Sequence, residues 1–266
     1  MRHNTTDSKE IDMLLKDKVA IITGAAGGIG AAMALGYTRE GAKVVIADIA
    51  DGQEAVEAVK KEGGDALYVK TDVTKEADCE AMARVTEEAF GGIHILVNNA
   101  AMYATIIKKP FTEISMEEWN RVMEINSGGP FCCTKAVFPY MKANGGKIIN
   151  VASSIIFEGA TGMPHYVASK GAVFALTRTL ARELGEYNIN VNSLAPGYTQ
   201  SEASKLIQKN RKTEGPNPEE INVQRRCLKR SSLPQDMVGT AIFLASSYSD
   251  FITGQLILCD GGGSFN

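Results

Sequence analysis

The chain has 266 residues and a formal net charge of −3, with 44% hydrophobic and 22% charged residues. That balance argues against a nucleic-acid binder, which carries a strongly basic domain, and no run of 18 apolar residues offers a membrane span. The polar start MRHNTTDSKEID lacks the apolar stretch of a secretory signal, and five cysteines without a C-x-x-C pair read as reduced thiols of a cytoplasmic protein.

Residues 1–15 read as an N-terminal extension and 16–266 as one continuous domain. Short Val- and Ile-rich runs then recur at 18–23, 43–48, 66–72, 94–100, 147–153, 189–196 and 255–262. Continuous rather than alternating apolar runs suit strands buried on both faces. Helical patterns fill the intervals at 28–40, 53–61, 75–90, 116–141, 166–184 and 235–246. Strand and helix alternating in this way means βαβ units, a parallel sheet and right-handed crossovers. The prediction is an α/β, Rossmann-type, doubly wound sheet of seven strands in three αβα layers.

The stretch 198–232 breaks the rhythm. It holds no strand and carries eight basic residues (Lys205, Lys209, Arg211, Lys212, Arg225, Arg226, Lys229, Arg230) against four acids (Glu202, Glu214, Glu219, Glu220). It follows the carboxyl end of a strand, where ligands bind in open α/β sheets, so it is a candidate lid. Its charges read first as a solvated face and, more sharply, as a way to steer an anionic group.

Two constellations carry chemistry. The first strand ends in Thr23-Gly24-Ala25-Ala26-Gly27-Gly28-Ile29-Gly30 and runs straight into a helix. A glycine-rich turn there lets backbone approach a pyrophosphate, and the helix N-terminus supplies free N–H donors. Asp48, at the end of the next strand, suits the ribose hydroxyls of a dinucleotide. An acid there also repels a 2′-phosphate, and Ala25–Gly27, Ala47 and Ile49 offer no cation, so NAD is expected over NADP.

The second constellation is Tyr166-Val167-Ala168-Ser169-Lys170, whose i, i+4 spacing puts Tyr166 and Lys170 on one helix face. A phenol is a poor base at neutral pH, and a nearby ammonium is expected to lower its pKa. Ser153, at the end of the strand before it, faces the ligand crevice and can hydrogen-bond a carbonyl oxygen; Ser154 is its neighbour and rival.

Taken together, TGAAGGIG (23–30), Asp48, Asp72-Val73, NNAA (98–101), Asn126, Ser153, YVASK (166–170), Pro196-Gly197 and the closing DGG (260–262) resemble the short-chain dehydrogenase/reductase family, over nearly everything from about Lys16 onward. The resemblance implies that Gly24, Gly28, Ile29 and Gly30 line the diphosphate. It also implies that Asp48 holds the adenosine ribose, that Asp72 and Val73 flank the adenine, and that Asn99 lies along the cofactor. Pro196, Gly197 and Thr199 meet its nicotinamide end. Tyr166 corresponds to the acid/base, Lys170 to the residue that binds the nicotinamide ribose and tunes Tyr166, and Ser153 to the one that orients substrate. Asn126 corresponds to an anchor for a proton-relay water; a buried asparagine bridging helix and sheet is the alternative.

Two positions depart from the family pattern: Ala101 replaces a glycine, and Ser201 stands where many relatives have threonine.

The expected activity is NAD-dependent interconversion of a secondary alcohol and a ketone. Met102, Tyr103, Ile155, Ile156, Phe157, Met163 and Tyr198 suggest an apolar, alicyclic or aromatic substrate. A catalytically idle dinucleotide binder and a non-redox, dehydratase-like use of the fold are the alternatives. His165 reads as solvated or capping, and Cys132-Cys133 as core thiols. Apolar residues in the helices at 116–141 and 166–184 (Phe131, Val137, Phe138, Val173, Phe174, Leu176) point to a homotetramer. Three scattered histidines argue against a metal site.

Overall fold

The computed structural model describes residues 13–202, 204 and 217–265. Its sheet contains β1 Val19–Thr23, β2 Lys43–Asp48, β3 Ala66–Lys70, β4 Ile95–Asn98, β5 Gly146–Val151, β6 Ile189–Pro196 and β7 Leu256–Cys259. All pairings are parallel, in the order β3-β2-β1-β4-β5-β6-β7. The predicted doubly wound sheet is therefore the observed one, and each strand overlaps an apolar run of the sequence. Residues 1–12 of the extension lie outside the described residues.

Helices cover both faces. They are α1 Gly28–Arg39, α2 Gln53–Lys61, α3 Glu76–Phe90, α4 Met116–Met123, α5 Gly129–Met141, α6 Ile155–Glu158, α7 Pro164–Leu184, α8 Pro218–Arg225 and α9 Val238–Ala245. Successive side chains of a strand point to opposite faces. Ala20 and Ile22 of β1 thus join Met33, Tyr37 and Leu244 under α1 and α9. Ile21 joins Met82, Val137 and Leu180 under α3, α5 and α7. The Tyr37 hydroxyl, fully buried, donates to Ala241 O (3.0 Å) and locks α1 to α9.

The helix expected to run unbroken over 116–141 is interrupted by a π-turn, Glu124–Gly128. Pro130 has no N–H to continue the ladder, and two glycines precede it, so the helix widens and restarts at Gly129. A Cβ on Gly129 would stand 2.7 Å from Val73 Cγ2, so the close packing of Val73 there demands glycine. The short α6 is absent from the helices expected on pattern, where Ile155, Ile156 and Phe157 read only as pocket lining.

Chain order reverses at β1, which lies between β2 and β4, and a crevice opens beyond the carboxyl ends of β1 and β4. A buried polar chain then registers α7 over the sheet. Asn98 Nδ2 donates to Asn150 Oδ1 (2.8 Å), Asn150 Nδ2 to Thr177 Oγ1 (2.9 Å), and Thr177 shares a 2.7 Å bond with Ser193. Networks of this kind specify one register, because a slip would orphan several further buried groups, although Asn98 Oδ1 itself has no hydrogen-bond partner.

Cys79 and Cys133 are free and buried, with sulfurs 3.7 Å apart between α3 and α5. Of the six apolar residues read as assembly surface, Val137 and Val173 are fully buried core, whereas Phe131 is 53% exposed. Among the described residues no helix is long and apolar enough to cross a membrane.

Candidate active site

The glycine-rich turn is shaped by close approach. Gly24 has φ +64°, and a Cβ there would meet Ala100 Cα at 2.7 Å; at Gly30 it would meet Gly24 O at 2.5 Å. Gly28 also has φ +59°, while Gly27, the N-cap of α1, has open space around it and no side chain capping the helix. The orphan N–H groups of a first turn normally find a partner, and here they front the crevice. Ile29 packs against the core beneath.

Thr23, which heads the glycine-rich motif but has no role of its own assigned from the sequence, knots the turn to β4. Its hydroxyl donates to Val97 O (3.3 Å) and accepts from Asn99 N (3.0 Å) and Ala100 N (3.1 Å). Asn99 Nδ2 donates to Thr23 O and Gly24 O, both at 2.9 Å, so Asn99 is a strut under the turn. Asp48 accepts from Ala26 N (2.9 Å) with one oxygen and Ala50 N (3.0 Å) with the other, which fixes its carboxylate at the edge of the turn. Thr74 holds the Asp72 carboxyl below the usual carboxylate range through side-chain and backbone hydrogen bonds.

The second constellation also comes together. Pro164 sits at the start of α7, where its missing N–H costs nothing, and delivers Tyr166 and Lys170 to the crevice, 8% and 3% exposed. The Lys170 ammonium lies 5.9 Å from the Tyr166 ring centroid and donates to Val151 O (2.7 Å). Burial, and after it the neighbouring Tyr103, push the Tyr166 pKa up, and the Ser153 side chain opposes them by less; the Ser153 hydroxyl itself donates to Pro196 O (3.4 Å). Burial also brings the Lys170 ammonium down to about 8. The expected net lowering of the Tyr166 pKa is thus not what this geometry gives: desolvation disfavours both charged forms. Ser154 is buried, and it is the side chain of Ser153 that acts on the Tyr166 pKa.

Asn126, 1% exposed, lies in the π-turn. It accepts from Met102 N (2.7 Å) and donates to Met102 O (3.2 Å) and Ser169 Oγ (3.1 Å). It bridges the loop after β4 to α7, rather than helix to strand. Pro196 ends β6, and a Cβ on Gly197 would press on Asp260 Cβ at 2.7 Å. Thr199 Oγ1 donates to Gly197 O (3.0 Å) and meets Ser232 Oγ at 3.2 Å. The Ser201 hydroxyl is taken up by Ser204 N (3.3 Å), and Ala101 is exposed.

Met163 is 2% exposed and belongs with Ile106, Val122 and Tyr166 to a small core, against which Met102, Tyr103 and Ile155 pack. Ile156 packs in another with Ala152 and Val173. His165 is neither solvated nor capping: it is fully buried.

Lys205, Lys209, Arg211, Lys212 and Glu214 lie outside the described residues. Arg225 is exposed, 3.9 Å from Glu158. Arg226 is not part of a solvated face: it is 4% exposed and its guanidinium donates to Tyr198 O and to Arg230 O (3.1 Å). With the bridge between Thr199 and Ser232, it pins the two ends of the 198–232 stretch together. Arg226→Met orphans both carbonyls and is expected to cost about 2–3 kcal/mol, a drop of roughly 5–10 °C in Tm. Arg225→Met is expected to stay within about 0.5 kcal/mol. Equal Tm values for the two variants in a thermal melt would refute this assignment.

Such a crevice, with a tight turn that has no room for a Cβ at Gly24 or Gly30, a helix without a side-chain cap and a carboxylate at its edge, fits a dinucleotide, and the tyrosine, lysine and serine at its wall fit an oxidoreductase. Comparison with known proteins agrees. A family model described as enoyl-(acyl carrier protein) reductase matches residues 24–264. The chain is 41% identical to galactitol 2-dehydrogenase of Agrobacterium fabrum, over 94% of this chain and 98% of that one. It is 38% identical to 2-dehydro-3-deoxy-D-gluconate 5-dehydrogenase of Escherichia coli, over 93% and 96%. The crystal structure of a short-chain type dehydrogenase/reductase from Mycobacterium marinum superposes with a TM-score of 0.84 at 30% identity, covering 96% of this chain and 98% of that one. The chain belongs to the short-chain dehydrogenase/reductase family, nicotinamide-dinucleotide oxidoreductases that act on CH–OH groups.

Proposed function

We propose that the protein is an NAD-dependent dehydrogenase that interconverts a secondary alcohol and a ketone on a polyhydroxy compound or sugar acid. The observation that carries the chemistry is the convergence of Ser153, Tyr166 and Lys170 on one crevice wall. The relatives named for polyol and sugar-acid reactions support the substrate class. These favour a hydroxylated substrate over the alicyclic or aromatic one suggested by Met102 and Ile155.

Gly24, Gly28, Ile29 and Gly30 would hold the diphosphate, Asp48 the adenosine ribose, Asp72 and Val73 the adenine side, and Asn99, Pro196, Gly197 and Thr199 the nicotinamide side. The bound dinucleotide supplies the hydride transfer. Ser153 holds the reacting oxygen. Tyr166, kept as a phenol by burial, is ready to give its proton to a ketone oxygen; in the oxidative direction it takes the proton back. Lys170, with one of its three donors spent on Val151 O, has two left for a ribose hydroxyl and for steadying the phenolate. Asn126 holds the loop after β4 in place; a relay water would use the remaining lone pair of its Oδ1. We further read the chain as a homotetramer, with exposed Phe131 on a contact face, and the stretch 198–232 as a substrate cover anchored by its ends.

A panel of galactitol, gluconate and simple alicyclic alcohols, each with NAD and with NADP, tests the reading. Activity is expected on a polyhydroxy member, with NAD preferred at least about tenfold in kcat/KM, since a like charge beside Asp48 costs more than 1.4 kcal/mol. An NADP preference would overturn the role given to Asp48, and turnover confined to the alicyclic alcohols would overturn the substrate class.

A further inference from the structure

His165 precedes the proposed proton carrier and is fully buried, yet neither ring nitrogen has a hydrogen-bond partner. Buried polar atoms are nearly always satisfied, so such an orphan calls for an explanation. The nearest group of opposite charge is Glu118 of α4, with Oε1 3.9 Å from His165 Nε2. The other Glu118 oxygen is held by Lys109 at 2.6 Å. Lys109 lies in the loop between β4 and α4, and its backbone N–H donates to Gly162 O (3.2 Å), just ahead of α7. The same loop carries Tyr103, whose ring lies 5.1 Å from that of Tyr166, and Ile106, which packs with Met163 and Tyr166. The ion pair Lys109–Glu118 therefore holds down a loop that rests on the reacting tyrosine, and an unpaired imidazole stands beside that ion pair.

We propose that His165 is a proton-responsive positioning residue for Tyr166. As a neutral ring it leaves Glu118 to Lys109 and the loop stays closed on Tyr166. As a cation it competes for Glu118 and repels the Lys109 ammonium, and the loop loosens. The charged groups facing it are Glu118 from α4 and Lys109 from the loop; from its own helix the titratable neighbour is Tyr166. Burial and Lys109 lower the pKa of the ring, and Glu118 opposes them, so the neutral form prevails at pH 7. The inference rests on reading Tyr166 as the proton carrier.

The chain has three histidines, so ring-proton NMR of the full-length protein resolves their titrations, and the signal lost in His165→Asn assigns one of them. Glu118→Gln is expected to move the His165 midpoint to lower pH and Lys109→Met to higher pH. In activity, kcat/KM for the alcohol is expected to fall about fivefold or more as the ring charges. That acid limb should vanish in His165→Asn, and in Glu118→Gln and Lys109→Met as well, because the broken ion pair leaves the loop loose at every pH, while affinity for the dinucleotide stays level. Midpoints that do not move in opposite directions would overturn the proposal, as would an acid limb that persists unchanged in His165→Asn. Should His165→Asn not fold, the Glu118 and Lys109 variants decide it. An alcohol panel without turnover would sink the proposed function and leave the titration result standing on its own.

Discussion

Tyr166→Phe is expected to lower kcat on the order of a thousandfold, in both directions, while the dinucleotide binds as before. The change removes one oxygen from a buried ring. The ring's contacts with Tyr103, Met163 and Val122 survive, so the fold should not be affected. What disappears is the proton held at the crevice wall. Steady-state kinetics together with a dinucleotide titration separate the two effects. A variant that kept near wild-type kcat would mean that another group moves the proton, and the assignment of Tyr166 would fall. Loss of dinucleotide affinity in parallel with kcat would instead mean that the hydroxyl serves binding.

The second large effect is expected at Gly30. Its φ is unexceptional, so the argument is purely steric. A methyl there would lie 2.5 Å from Gly24 O, 2.7 Å from Asn99 Nδ2 and 2.8 Å from Ala25 Cα. Two of these are backbone atoms, and the third belongs to an amide already spent on Thr23 O and Gly24 O. No flexible side-chain end can move aside. Gly30→Ala is therefore expected to destabilise the protein by about 1–3 kcal/mol, in the range of core overpacking. It should also open the turn and weaken dinucleotide binding by more than about tenfold. Gly27→Ala serves as the control, because nothing lies within 4 Å of its Cβ position; its Tm should match wild type. A Gly30→Ala protein with unchanged Tm would show that the turn is looser than its contacts imply.

Much of this was legible in the sequence for physical reasons that act locally. Strands buried on both faces must be apolar throughout, so KVAIIT and KVVIAD announced themselves, and the crossover rule then fixed their parallel sense. Glycines at a strand-to-helix turn have few other uses, and the i, i+4 spacing of Tyr166 and Lys170 holds on any helix. Prolines were less transparent: Pro164 starts a helix, whereas Pro130, after two glycines, helps break one into a π-turn.

What the sequence by itself determined is therefore the α/β architecture and the family, and it also named the candidate residues of the crevice, since all of these follow from periodicity and from motifs a few residues long. Only the tertiary structure decided their environment. Whether Tyr166 and Lys170 rest charged or neutral depends on desolvation by groups distant in the chain. Asn99 and Thr23 became struts because β1 and β4 are neighbours, and Arg226 became a buried clamp because the two ends of 198–232 meet. His165 came to stand beside Glu118 and Lys109 because α4 packs on the start of α7. Burial and pairing are properties of surfaces brought together from far along the chain, and spacing along one segment carries no record of them.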